Sequence, residues 1–289
     1  TRKTLKLSTV HRKVKCLRSL IKRNIDVNNP EAVIKFINTC GLASGTKEIL
    51  VDAYRDYLDM LGLANIKLPH IRREDTLPFI PLEREIDVLI SSTRRKLSTF
   101  LLLLKETGVR PIEAWRVKWD DIDVPHRTVT VKPAKYSRAR KLKISEQLLN
   151  MLLALPKTNA YVFSPSGNPD RFHIELEHFS RNYTKQRKRI ANKLKNPRLM
   201  RISLRTFRHW KATMEYIKTR DIVHIKEMLG HVNINNTLKY IHLANAITNN
   251  ENQYICKTAK TVEEARKLIE QGFEYVCEME GVKIFRKRK

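Results

Sequence analysis

The sequence predicts a mainly α-helical protein with a small β-sheet or hairpin, divided into a short N-terminal helical unit and a larger α+β unit. Apolar residues recur at three- and four-residue steps through most of the chain, the pattern of helices with one buried face. Alternation with a period of two is confined to short stretches, chiefly Arg127 to Val131 and Lys141 to Ile144. Between Asn65 and Pro81 the periodicity lapses, and Pro69, Pro78 and Pro81 punctuate a stretch that reads as a linker. With 289 residues the chain has room for two cores of ordinary domain size.

The elements follow in order. From Ser8 to Ala64 the chain reads as short helices, with Val10, Val14, Leu17, Leu20 and Ile21 on one face and basic residues between them. Asn29 and Pro30 form a cap and first turn for a helix that ends near Gly41, and a third helix runs from after Ser44 through Leu58. Past the linker, Leu82 to Ser91 and Lys96 to Glu106 are helical, and Gly108 stops the second. Pro111 suits the first position of the next helix, Ile112 to Trp119, which leaves Arg110 at a helix junction. The two alternating stretches enclose a basic hairpin, Lys132 to Arg140. Helices return over Glu146–Leu155, His173–Leu194, Leu204–Lys218, Ile222–Leu229 and Ile234–Leu243. An appended segment then carries a helix, Val262 to Glu270, a stop at Gly272, and a hairpin of Glu274–Cys277 with Val282–Phe285.

Composition narrows the function. Fifty-seven Lys and Arg against 30 Asp and Glu give a net charge of +27, more than solubility needs, so the expected partner is a polyanion, foremost nucleic acid. At 42% hydrophobic residues, with basic residues spread throughout, the chain differs from a disordered nucleic-acid-coating protein. Cys16, Cys40, Cys256 and Cys277 stand singly, which indicates neither a zinc site nor a disulfide framework and points to a reducing, cytoplasmic setting. The longest apolar runs are too short to cross a bilayer, and the basic start lacks the apolar stretch of a signal peptide. Because the chain opens on Thr1, a preceding natural segment is expected.

The residues that carry chemistry are arginines and one tyrosine. Breaking a phosphodiester without a metal takes a nucleophile, cations on the non-bridging oxygens, and an acid for the departing oxygen. Arginine suits the second task because its planar fork binds phosphate oxygens in pairs and stays charged. Arg110 is one such arginine, and Glu113 lies three residues on, within reach to orient it. Arg205 and Arg208 are three apart on one helix face. Downstream, Tyr240 stands nine residues after His231 of Leu229-Gly230-His231. A tyrosine hydroxyl ionises near pH 10, and bringing it to about 8 takes roughly 3 kcal/mol of preferential stabilisation, which the arginines are expected to supply. Alone, His231 reads more readily as a helix-capping or core residue and Tyr240 as a packing residue, with Tyr216 and Tyr254 as rivals, and it is the joint spacing that points to chemistry.

Taken jointly, these motifs resemble the tyrosine recombinases of the phage-integrase type over nearly the whole chain. In that family an arginine follows Thr-Gly-x, a lysine lies in a β-hairpin, a His-or-Lys-x-x-Arg pair precedes Leu-Gly-His, and the nucleophilic tyrosine follows that histidine by nine. Those positions here are Arg110, Lys135, Arg205 with Arg208, His231 and Tyr240. Lys135 is preferred to Lys132 and Lys141 because Lys135-Tyr136-Ser137-Arg138-Ala139-Arg140 resembles the family phrase Lys-Gly-x-Lys-x-Arg. Arg205 departs from the histidine often found there and cannot serve as a base, which shifts proton transfer toward His231 or water.

The resemblance implies a helical core-DNA-binding unit over 1–64, a linker over 65–81, a catalytic unit over 82–254 and an αββ-like extension over 255–289. It further implies a C-shaped clamp on double-stranded DNA with a specific target site, and a homotetramer on two duplexes. The implied reaction runs through a 3′-phosphotyrosine with neither ATP, metal nor other cofactor, with Lys135 as acid and the arginines on the phosphate. The phrase Arg208-His209-Trp210-Lys211-Ala212-Thr213 and the extension look more like archaeal mobile-element integrases than bacterial chromosome-dimer resolvases. A type IB topoisomerase, or a DNA-binding protein with weakened catalysis, are the alternatives.

Overall fold

A computed structural model of the chain describes residues 7–72, 76–134, 137–248, 254–279 and 281–288. It separates into two compact units, Thr1–Thr76 and Leu77–Lys289. The fold is mainly helical, with two small antiparallel sheets.

The first unit packs α1 (Leu7–Ile21), α2 (Pro30–Thr39) and α3 (Ser44–Met60) around Leu20, Val33, Ile37, Leu50, Tyr54 and Leu58. Asn29 accepts a hydrogen bond from the Ala32 amide at 3.2 Å, so the cap read from the sequence starts α2. Tyr54 is buried and donates its hydroxyl proton to the Val27 carbonyl at 3.0 Å. Lys13 joins α1 to α3 through Asp52 at 2.9 Å and Asp56 at 2.5 Å, while Arg12, Lys15, Arg18, Lys22 and Arg23 remain exposed.

The aperiodic stretch divides between the units. Ile66, Leu68 and Ile71 pack on the first core, whereas Phe79 and Ile80 pack on the second. Phe79 lies under the guanidinium of Arg201, 4.1 Å from its ring centroid, with that of Arg198 at 5.1 Å.

In the second unit α4 (Glu83–Ser91) and α5 (Arg95–Thr107) lead to the short α6 (Pro111–Trp115). Helix α6 stops four residues short of the expected Trp119, because the chain there pairs with a distant segment instead. The Trp119 amide bonds to the Ala160 carbonyl at 3.1 Å, and the Val162 amide to the Val117 carbonyl at 3.0 Å. A sheet follows, β1 (Ile122–Asp123), β2 (Thr128–Val131) and β3 (Arg140–Lys143), with β2 in the middle. The expected hairpin is therefore a three-stranded sheet. Next come α7 (Glu146–Leu153), α8 (Phe172–Lys193), α9 (Leu204–Thr219), α10 (Ile222–Leu229) and α11 (Asn235–Thr248). Phe100 of α5 anchors the core, meeting Phe163 and Phe179 edge-on at 5.0 and 4.9 Å.

The C-terminal segment gains a strand absent from the sequence reading. β4 (Tyr254–Ala259) precedes α12 (Val262–Glu270), β5 (Glu274–Met279) and β6 (Val282–Arg288), in sheet order β4-β6-β5. Phe273, Phe285, Ala259, Ala265 and Leu268 form its own small core. Among the described residues no helix is long and apolar enough to cross a membrane.

Candidate active site

Arg110 is held by its own turn. Gly108 ends α5 in the left-handed region at φ 62°, Val109 is buried, and Arg110 becomes the N-cap of α6. Glu113 reaches back with Oε2 to the Arg110 amide at 3.0 Å and with Oε1 to Arg110 Nη1 at 3.0 Å. Its carboxylate, fully enclosed, also accepts from Arg140 Nη2 at 2.6 Å, Ser137 Oγ at 3.0 Å and the Ala134 amide at 3.4 Å. Burial pushes this carboxyl up, but Arg140 and then Arg110 more than offset that and leave it at about 2. One carboxylate thus fixes two arginines and ties the loop between β2 and β3 to α6.

Helix α9 starts on a reciprocal cap between Ser203 and Thr206. The two arginines three apart on it part company. Arg205 is exposed, beside Pro111 and Lys185 in an open cleft of about 790 Å³, whereas Arg208 is only 5% exposed. Arg208 donates from Nη1 to the Gly108 carbonyl at 2.8 Å, and from Nη2 to the Leu229 carbonyl at 2.9 Å and to His231 Nε2 at 2.9 Å. Three of its five N–H groups are thereby used to position the guanidinium. Burial, then the nearby charge of Arg110, lowers its pKa to about 10, so it stays charged at neutral pH.

The Arg208 contact fixes the tautomer of His231. A guanidinium only donates, so Nε2 accepts and the ring proton sits on Nδ1, directed at Thr237 Oγ1 2.8 Å away. Burial and the charges of Arg208, Arg110, Lys239 and Arg140 drive its pKa down to about 3. His231 is therefore neutral, with its lone pair already engaged.

Tyr240, on α11, is 1% exposed, and its hydroxyl lies 3.1 Å from Nδ1 of His209 on α9. The expectation that arginines draw this hydroxyl down toward 8 is overturned. Burial raises it to about 12, and the opposing charges of Arg208, Arg110 and Arg205 only partly offset that. Desolvation wins because the ring is enclosed by its own core, which includes Ile225, Leu229 and Leu243. Burial first, then Lys239, Arg205 and Arg208, hold His209 at about 4, so it too is neutral. The rival Tyr216 is half-buried beside Arg220, whose guanidinium is 5.9 Å from its ring.

The loop between β2 and β3 docks on the turn that carries His231. The Arg138 amide bonds to the Gly230 carbonyl at 3.2 Å, and Ser137 pairs with His231 as an isolated bridge. Lys135 lies outside the described residues. Its rivals both meet carboxylates: Lys132 pairs with Asp121 at 3.2 Å and Lys141 with Asp123 at 2.7 Å. Gly230 ends α10 at φ 68°, and a Cβ there would lie 2.8 Å from Arg140 Nη1 and 3.0 Å from the Arg138 carbonyl. Gly230→Ala is accordingly expected to cost at least about 1–2 kcal/mol for the left-handed backbone alone, seen as a lowered melting temperature, and to loosen the loop.

Arg110, Arg208, His231 and Tyr240 thus occupy one neighbourhood, with Glu113 bonded to Arg110 and Arg205 at its edge. Arg140 and His209 join them without having been singled out in the sequence. Arg140 ends the hairpin phrase and His209 directly follows Arg208, so each adjoins a motif position whose chemistry drew the attention.

Residues 82–246 match the family model described as Phage integrase family, and the chain belongs to that family, the tyrosine recombinases. Among curated relatives, "Probable integrase/recombinase protein" of Methanocaldococcus jannaschii is 26% identical over 190 residues, 64% of this chain and 57% of the relative. Tyrosine recombinase XerA of Thermococcus kodakarensis is 26% identical over 207 residues, 69% of this chain and 71% of the relative. The chain spans little more than half the length of the M. jannaschii protein and of tyrosine recombinase XerH of Campylobacter jejuni, 57% and 53%. In fold it is similar to the Tn1549 transposon integrase in complex with transposon right end DNA, with a TM-score of 0.62 at 15% identity, over 86% of this chain and 95% of that one. A lambda integrase dimer bound to a COC′ core site gives a TM-score of 0.57 at 14% identity, over 82% of this chain and 72% of that one.

Proposed function

We propose that this chain is a site-specific DNA recombinase that cuts and rejoins strands through a covalent 3′-phosphotyrosine at Tyr240. The observation that carries the reading is the guanidinium of Arg208, buried beside the charge of Arg110 and close to the Tyr240 hydroxyl. Like charges held together out of water are costly, and Glu113 answers for only part of the charge of Arg110, Arg140 and Arg208. A phosphate supplies the rest.

In this reading Arg110, Arg205 and Arg208 bind the non-bridging oxygens of the scissile phosphate and stabilise the charge that builds there. Tyr240 attacks phosphorus, the bond to O5′ breaks, and Lys135 protonates the departing oxygen. The 5′ hydroxyl of a partner strand then reverses the step, so ester energy is conserved and no ATP is consumed. His231 orients Arg208. The transposon right end DNA of one solved structure and the core site bound in the other support DNA as partner. Strand exchange between two duplexes calls for a homotetramer. Residues 1–64 with their exposed basic α1 face, a linker over 65–81 and a catalytic unit over 82–254 would grip the duplex. Affinity should then fall roughly a thousandfold or more between about 50 and about 200 mM salt, as for proteins that neutralise about six to ten phosphates. A nearly flat salt response in a titration would contradict such a grip.

A supercoiled plasmid carrying two copies of a duplex site, selected from a random library by binding to the chain, tests the reading. Deletion circles are the expected product. Relaxed topoisomers without joined products would assign a topoisomerase instead, and binding with no broken strand would assign an architectural protein.

A further inference from the structure

Arg205 stands where a histidine would offer a base, and a guanidinium has no lone pair to give. His231 is not available either, because its Nε2 lone pair is taken by Arg208 and its Nδ1 proton points at Thr237. Among the described residues, the imidazole in contact with the Tyr240 hydroxyl is that of His209, one position beyond Arg208 on α9. Its Nδ1 lies 3.1 Å from the oxygen, with the ring centroids 6.0 Å apart and the planes tilted by 43°.

We propose that His209 is the proton acceptor that activates Tyr240, a catalytic residue in addition to the arginines. The inference rests on the reading of Tyr240 as nucleophile.

The step balances with no further reactant. As Tyr240 Oη bonds to phosphorus and the bond to O5′ breaks, the phenolic proton passes to His209 Nδ1 and leaves an imidazolium, while O5′ takes a proton from the acid of the site. On rejoining, a 5′ hydroxyl attacks phosphorus and gives up its proton to that same group, the bond to Oη breaks, and Nδ1 returns the proton to Tyr240. The surroundings suit the role. The charged groups that act on the ring are Lys239 from α11 and Arg205 and Arg208 from its own helix, and with burial they keep it neutral, so that its lone pair is available. A hydroxyl near 12 does not ionise to a base near 4 beforehand. The transfer therefore accompanies bond formation, when Oη becomes an ester oxygen and loses its basicity. The bound phosphate offsets Lys239, Arg205 and Arg208 at that moment and eases formation of the imidazolium.

The test measures single-turnover adduct formation on a nicked suicide duplex of a selected site. His209→Asn keeps an acceptor oxygen near Nδ1 but cannot take a proton. It should cut the rate roughly 100-fold or more at neutral pH with DNA affinity unchanged, and the residual rate should climb with pH as tyrosinate forms. The defect should persist on a duplex with a bridging 5′ sulfur, whose thiolate leaves without an acid. A rate within threefold of wild type overturns the inference, and so does a defect that the sulfur substrate erases, since that places His209 on the leaving group. If His209→Asn melts below the assay temperature, His209→Gln is read by the same criteria. Wild type that forms no adduct removes the recombinase reading itself, whereas a wild-type adduct with an unimpaired His209→Asn removes only the role of His209.

Discussion

Arg208→Ala is expected to lower the rate of strand cleavage about a thousandfold or more, in the upper range for losing a preorganised donor to a developing oxyanion. The same substitution strips a buried donor from the Gly108 and Leu229 carbonyls and from His231, at roughly 1–3 kcal/mol for each unsatisfied group. The melting temperature should therefore fall together with activity. Arg208→Lys keeps the charge but not the fork. One ammonium cannot serve both carbonyls, the imidazole and a phosphate from a single point, so this variant should recover little of the rate. Comparable cleavage by Arg208→Lys and wild type in a single-turnover assay would show that net charge is what matters there.

Glu113→Ala should have the largest effect on stability, about 3–5 kcal/mol, because it strands Arg140 and frees Arg110 from its turn. The pH dependence follows from the same carboxylate. Its folded value of about 2 lies below the ordinary 4.5, so its contribution is complete above pH 4.5 and is lost as pH falls toward 2, a loss of about 3 kcal/mol. His231 and His209 act in the same direction in a higher window. Their folded values, about 3 and about 4, lie below the ordinary 6.5, so below pH 6.5 the unfolded chain gains protons that the folded chain refuses. Melting temperature measured against pH should begin to drop near 6.5 and steepen under 4.5. In Glu113→Gln the baseline should be lower and the steep acid limb weaker. An unchanged acid limb would mean that Glu113 is not the group responsible.

Much of this architecture is legible in the sequence wherever the signal is local. The Asn29–Pro30 helix start, the stop at Gly108, and the placing of Arg110 at the junction before a helix led by Pro111 all follow from residue chemistry within one turn. What escaped depends on partners far along the chain. β4 pairs with β6 and not with its sequence neighbour, and α6 ends early because Val117 and Trp119 bond to the segment around Ala160 to Val162. The site follows the same division. Motif order and spacing drew out Arg110, Arg208, His231 and Tyr240. Arg140 and His209 acquire their places by meeting Glu113 and Tyr240 across 27 and 31 residues. The direction of the Tyr240 shift is not legible in the sequence for the same reason, since spacing reveals the nearby charges but not how deeply the ring is buried.

The central claim is that Tyr240 becomes the covalent link to DNA. Its most direct test is a suicide duplex of a selected site incubated with the chain, followed by proteolysis and mass spectrometry of the trapped peptide. A 3′-phosphoryl adduct on Tyr240, formed by the wild type and absent from Tyr240→Phe, is the expected result. An adduct on Tyr216 or any other side chain, or one that survives Tyr240→Phe, would contradict it.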